Sequence, residues 1–205
     1  MMKGIIYAVL LGVGMAACLA DQNNNADETT EAESTTTPTL PAGDRGLTPD
    51  ASFFIIGKGK VGPIRIGMPV ADLRPQLSSQ ITFTDTTLQQ EGQQYTAFVL
   101  RPEQDANGLL VEQQCDTDCR IWRINIQSQD YKTTKGIGVG SKFSEVQANY
   151  PISTISQAEG NLVAVSEQAG LSFVLNKSQV DLNRSGDLAP ADIPANTLVQ
   201  RLLVY

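Results

Sequence analysis

Ile64-Arg65-Ile66-Gly67-Met68-Pro69-Val70-Ala71-Asp72-Leu73 returns, without a gap, as Ile137-Gly138-Val139-Gly140-Ser141-Lys142-Phe143-Ser144-Glu145-Val146. Apolar residues, one glycine and an acid recur at matching positions, so the chain is read first as a repeat. Two further blocks follow in the same order. Ala97-Phe98-Val99-Leu100 echoes Ser172-Phe173-Val174-Leu175, and Ile121-Trp122-Arg123-Ile124-Asn125-Ile126 resembles Val199-Gln200-Arg201-Leu202-Leu203-Val204. The offset grows along the chain, as loop insertions would cause.

Each copy has the same coarse plan: an extended start, a glycine and a short helix. Val70, Leu73 and Leu77 form an apolar stripe at helical spacing, with a break near Arg74 imposed by Pro75. Phe143, Val146 and Tyr150 repeat the stripe. Ser141 or Ser144 is a cap candidate, and Pro151 ends the segment. Strands follow. Trp122, Ile124 and Ile126 alternate with Arg123 and Asn125, which places the tryptophan in the core. Leu171, Phe173 and Leu175 alternate with Ser172 and Asn176. Asp105-Ala106-Asn107-Gly108 and Glu159-Gly160-Asn161 read as hairpin turns. The expected fold is antiparallel α+β, with two tandem repeats at about 53–128 and 129–205. Each repeat would be a short helical segment packed on an antiparallel sheet.

The motif Ile-x-Ile-Gly-Met-x-x-x-Asp-Leu at 64–73 resembles the helix-opening motif of the SmpA/OmlA family, small lipoproteins of the outer-membrane barrel-assembly machinery. The tandem layout is similar to that of the β-lactamase inhibitor protein family, two copies of a helices-on-sheet unit. The resemblance covers about ten residues per copy plus the layout. It implies a module that binds other proteins and carries no catalysis. Ser141 replaces the methionine in the second copy, so a shared partner does not follow.

Upstream, residues 1–17 have the parts of an export signal: Lys3, an apolar run from Ile5 to Met15, then Ala16 and Ala17 before Cys18. The run is shorter than the ~20 residues a spanning helix needs. A cysteine directly after small residues at the cut reads as a lipoprotein signal, with Cys18 as the lipidated first residue. Residues 18–50 read as a disordered acidic linker rich in Thr, Asn and Pro. Seven acids (Asp21, Asp27, Glu28, Glu31, Glu33, Asp44, Asp50) face the single base Arg45 there. The whole-chain charge of −7 therefore sits mostly in the linker, and the globular part at 51–205 is nearly neutral. No basic patch interleaved with aromatics appears, so no nucleic-acid partner is expected.

With Cys18 consumed by lipid, Cys115 and Cys119 remain in Cys-Asp-Thr-Asp-Cys. In an oxidising compartment they read as a structural disulfide. A redox or metal site using Asp116 and Asp118 is the rival reading. The chain has no histidine, which removes the Ser-His-Asp and Cys-His machineries and the commonest soft-metal ligand. Gly136-Ile137-Gly138-Val139-Gly140-Ser141-Lys142 fits neither the dinucleotide fingerprint nor the P-loop spacing.

Asp181 to Asp192 matches a calcium loop. Asp181, Asn183, Ser185, Gly186, Leu188 and Asp192 fill positions 1, 3, 5, 6, 8 and 12, and Asp187 would offer its carbonyl. Aspartate stands where a bidentate glutamate is usual, and an ordinary polar loop is the competing reading. The expected function is a lipid-anchored module in the bacterial cell envelope, extracytoplasmic, that binds an unidentified protein partner; a ligand- or Ca²⁺-binding lipoprotein is the alternative. Partner binding predicts an aromatic or apolar patch on the sheet face away from the helices.

Overall fold

The computed structural model describes residues 50–90, 92–103, 105–158, 160–180 and 188–205. In chain order the strands are β1 (Ile55–Gly57), β2 (Lys60–Val61), β3 (Ile64–Arg65), β4 (Ile81–Gln90), β5 (Gln93–Pro102), β6 (Leu109–Cys115), β7 (Cys119–Ile126) and β8 (Lys132–Thr133). Helix α1 (Phe143–Asn149) precedes β9 (Thr154–Ala158), β10 (Asn161–Ser166), β11 (Leu171–Leu175) and β12 (Val199–Val204). An eight-stranded antiparallel sheet has the order β4-β5-β6-β7-β12-β11-β10-β9. A small second sheet, β3-β2-β1-β8, contains one parallel pair, β1 with β8.

The fold is mostly β, which overturns the α+β expectation. The only α-helix described has seven residues, and the other helical pieces are 3-10 turns of three or four. Where a first helix was expected, Val70–Asp72 and Arg74–Gln76 form two separate 3-10 turns. Pro75 cannot donate to a continuing α-ladder, which explains the break. The second copy lacks that proline and completes α1. Neither serine caps it: Lys142 is the N-cap residue, and its backbone N–H donates to the Glu145 carboxylate at 2.8 Å. The Ser141 hydroxyl instead accepts from the Gly138 N–H at 3.1 Å.

The big sheet is two four-strand meanders joined through their last strands. At the seam Ile126 pairs with Leu202, Asn125 with Leu203 and Ile124 with Val204. The two copies of the opening motif attach to these last strands in the same manner. Gly67 N–H donates to Ile121 O at 2.7 Å, and Gly140 N–H to Val199 O at 2.8 Å. Ile121 N–H returns to Met68 O at 3.0 Å, and Val199 N–H to Ser141 O at 2.9 Å. Pro69 bridges Arg120 as Lys142 bridges Leu198. Gly67 (φ 80°) and Gly140 (φ 86°) both sit in the left-handed region that side chains resist, so glycine recurs there for a backbone reason.

Strand order corrects one block of the sequence comparison. Ala97–Leu100 lies on β5, the second strand of its run, whereas Ser172–Leu175 lies on β11, the third. The counterpart of β11 is therefore β6.

One face of the big sheet is sealed by α1, the 3-10 turns and the small sheet. Leu73 and Val146, at matched positions, are both fully buried with Phe143, Phe173, Ile124 and Leu202. Tyr131 is also fully buried and packs against Phe54 with ring centres 5.1 Å apart. Among the described residues its hydroxyl has no hydrogen-bond partner. Burial, followed by the negative charges of Asp105 and Asp130, pushes its phenol well above the ordinary range.

Candidate functional site

The other face of the big sheet forms the candidate site, and a pair of β-bulges shapes it. Glu112 pairs with Arg123 and Gln113 with Ile121, leaving Trp122 as an extra residue on β7. A bulge of this kind bends the strand and breaks the alternation of side chains. Trp122 therefore leaves the core, contrary to the alternation read from the sequence, and is 39% exposed. The same irregularity occurs on β12. Val174 pairs with Arg201 and Leu175 with Val199, so Gln200 is the extra residue. The two bulges occupy matched positions in the two meanders.

Past the bulges, Arg123 and Arg201 project from the face opposite the helices. Arg123 Nε and Nη2 donate to the two Glu112 carboxylate oxygens at 2.9 and 2.8 Å. This bidentate geometry is the strong form of the contact, and both side chains are largely shielded from solvent. The Arg123 guanidinium also lies over the Trp122 ring, 4.5 Å from its centre, so pair and ring hold each other in place. On β12 the cross-strand neighbour of Arg201 is Val174, and Arg201 has no ion pair or hydrogen bond to its side chain among the described residues.

The face is concave. Leu88 of β4 and Ala158 of β9, from the two edge strands, line one cleft of about 550 Å³. Its floor is shielded although no described helix covers it: Asn125, Ser172 and Val174 are 7%, 4% and 2% exposed. Lining by both edge strands shows the sheet curling around them. The Asn125 side-chain oxygen is buried there without a hydrogen-bond partner among the described residues. Ser172 and Tyr205 share a hydrogen bond at 3.0 Å, and Tyr205 remains 44% exposed at the rim. A second recess of about 680 Å³ is lined by residues of the β4–β5 and β6–β7 hairpins, Tyr95 and Trp122 among them. The site thus offers three exposed aromatics (Tyr95, Trp122 and Tyr205), a locked ion pair, a guanidinium unpaired among the described residues, and a floor that mixes apolar side chains with Asn125 and Ser172.

Cys115 and Cys119 form a disulfide, and they face each other as the last pair of the β6–β7 hairpin. The bridge closes the tip of the arm that carries Trp122. Cys18 lies outside the described residues, as do Asp181, Asn183, Ser185 and Asp187 of the expected calcium loop. Asp192 is described: it ends the 3-10 turn Pro190–Asp192, where its carboxylate accepts the Ala189 N–H at 2.8 Å. Among the described residues, no three His, Cys, Asp or Glu side chains converge as a metal site, and no helix is long and apolar enough to cross a membrane.

The chain matches no family model and no curated protein. Its fold is similar to a crystal structure of the uncharacterized protein yfeY from Escherichia coli, with a TM-score of 0.52 and 15% identity. The match covers 73% of this chain and 98% of that one. At that identity the likeness concerns the fold alone.

Glu112, Asn125, Arg201 and Tyr205 were not singled out by the sequence as site residues. One signal was present: Arg123 and Arg201 coincide when the last strands of the two copies are aligned. The bulges that turn both toward one cleft leave no mark in composition or period.

Proposed function

We propose that this chain is a lipid-anchored protein of the cell envelope that binds a protein partner in the cleft of its curved sheet. The observation that carries the reading is the cleft itself: a shielded floor on the uncovered sheet face, rimmed by exposed Trp122 and Tyr205. Tryptophan and tyrosine at the edge of a desolvated patch are the residues that most often dominate protein association. A ligand pocket of enclosed type would bury its aromatics, and these stand out from the surface. The SmpA/OmlA-like opening motif supports the same class of function. The anchor part of the proposal rests on Met15-Ala16-Ala17-Cys18.

Affinity purification of the native protein from solubilised membranes, beside a Leu203→Glu variant, tests the binding reading. Leu203 lies on the cleft floor and is only partly buried, so a carboxylate there disturbs docking before it disturbs the core. A partner retained by the native chain and lost from Leu203→Glu is the expected outcome; equal retention overturns the assignment to the cleft. For the anchor, Cys18→Ala should move the protein into the soluble fraction. Persistence in the membrane pellet after a high-salt wash refutes lipidation at Cys18.

A further inference from the structure

We infer that Arg201 is a carboxylate-binding subsite of the cleft, and that the occupant is an acidic segment of the partner protein. This rests on the proposed function above and specifies the chemistry that the cleft selects. The argument comes from a broken symmetry between the two meanders. Arg123 and Arg201 follow matched bulges on β7 and β12, and the residue paired across from each sits at the same place on the neighbouring strand. On one side that residue is Glu112, which holds Arg123 through two hydrogen bonds. On the other it is Val174, which offers no acceptor side chain.

The result, among the described residues, is one satisfied guanidinium and one without a carboxylate on the same concave surface. Of the charged side chains lining the cleft, Glu112 is engaged by Arg123, which leaves Arg201 as the cation without a carboxylate partner among the described residues. Arg201 is partly buried beside the shielded floor, where a guanidinium has lost part of its water and gains most from a bidentate oxygen pair. Glu112 shows what geometry such a group takes on this sheet. An incoming aspartate or glutamate would repeat at Arg201 the contact that Glu112 makes at Arg123. Trp122 and Tyr205 would hold the apolar flanks of the same segment.

The test uses the full-length chain in detergent micelles and a displayed library of random 12-residue peptides as the probe. Peptides selected by the native chain and displaced by Trp122→Ala are resynthesised with Asp→Asn and Glu→Gln exchanges, and each is measured against native, Arg201→Gln and Arg201→Lys chains. Selected peptides should be enriched in acids, and one exchange should weaken binding to the native chain roughly tenfold or more, the size expected of a charge-assisted contact. Against Arg201→Gln the same exchange should change nothing, which isolates the pair. Arg201→Lys should keep part of the preference, and its retained melting temperature controls for folding. Cleft-bound peptides without acid enrichment, or an exchange effect that persists in Arg201→Gln, overturn the subsite while leaving the cleft as the docking face. Peptides that no cleft substitution displaces overturn both.

Discussion

Asn125 on β7 pairs directly with Leu203 on β12, and each residue occupies the other's place in its own meander. The neighbouring pairs, Ile126 with Leu202 and Ile124 with Val204, exchange in the same way, so the seam maps onto itself about the Asn125–Leu203 pair. This geometry fixes where the two arginines sit: on opposite sides of that pair, facing one cleft. It also exposes a mismatch, because a polar amide on one side answers a leucine on the other.

That mismatch gives a first prediction. The buried Asn125 oxygen lacks a hydrogen-bond partner among the described residues, a state that costs about 1–3 kcal/mol. Asn125→Leu, which copies its counterpart, should raise the urea midpoint by an amount worth about 1 kcal/mol while weakening the partner complex. Stability gained at the expense of binding marks a residue kept for function. A loss of stability with unchanged binding would mean that the amide supports the sheet instead.

Tyr131 gives a second. Its hydroxyl is buried without a partner among the described residues, and its phenol is held far above the ordinary value of 10.0. The unfolded chain releases this proton near pH 10, where the folded chain retains it. Alkali therefore favours unfolding, and the folded state should lose about 1.4 kcal/mol per pH unit above that point through this group. Tyr131→Phe should be neutral or mildly stabilising at pH 7 and should flatten the alkaline decline in a series of melts. An unchanged alkaline slope would assign the decline to other groups.

The disulfide gives a third. Cys115 and Cys119 close a loop of five residues, so the chain-entropy contribution is about 2 kcal/mol. A Cys115→Ser, Cys119→Ser double variant should remain folded with a modestly lower melting temperature. Because the bridge closes the arm bearing Trp122, partner affinity should fall by more than the melting shift alone explains. Unfolding of the double variant at 25 °C would show that the bridge supports the whole sheet.

The sequence carried the backbone of this account and missed its shape. The glycines at 67 and 140, the apolar pair Leu73 and Val146, and the matched last strands were all legible, because each follows from a backbone conformation or a buried face. The helical share was overestimated because the Val70–Leu77 stripe has helical spacing but contains Pro75, and spacing alone does not reveal that only 3-10 turns survive. The Ser172–Leu175 block was set against the wrong strand, since Phe-Val-Leu packs equally well on the second or third strand of a meander. Trp122 was placed in the core by strict alternation, which a single extra residue reverses. The cleft was out of reach for the same reason: it is built by two bulges and by sheet curvature, properties of pairing that a single strand does not display.

The most direct measurement is photo-crosslinking in intact cells from a benzophenone amino acid placed at Trp122, with the same group at Gln147 on the exposed surface of α1 as comparison. Trp122 is an exposed aromatic on the cleft, so the probe replaces a ring with a ring. A discrete adduct to one envelope protein from position 122, absent from position 147 and reduced by Arg201→Gln, is the predicted result. An adduct from position 147 alone, or none from position 122, contradicts the claim that the curved sheet is the docking face.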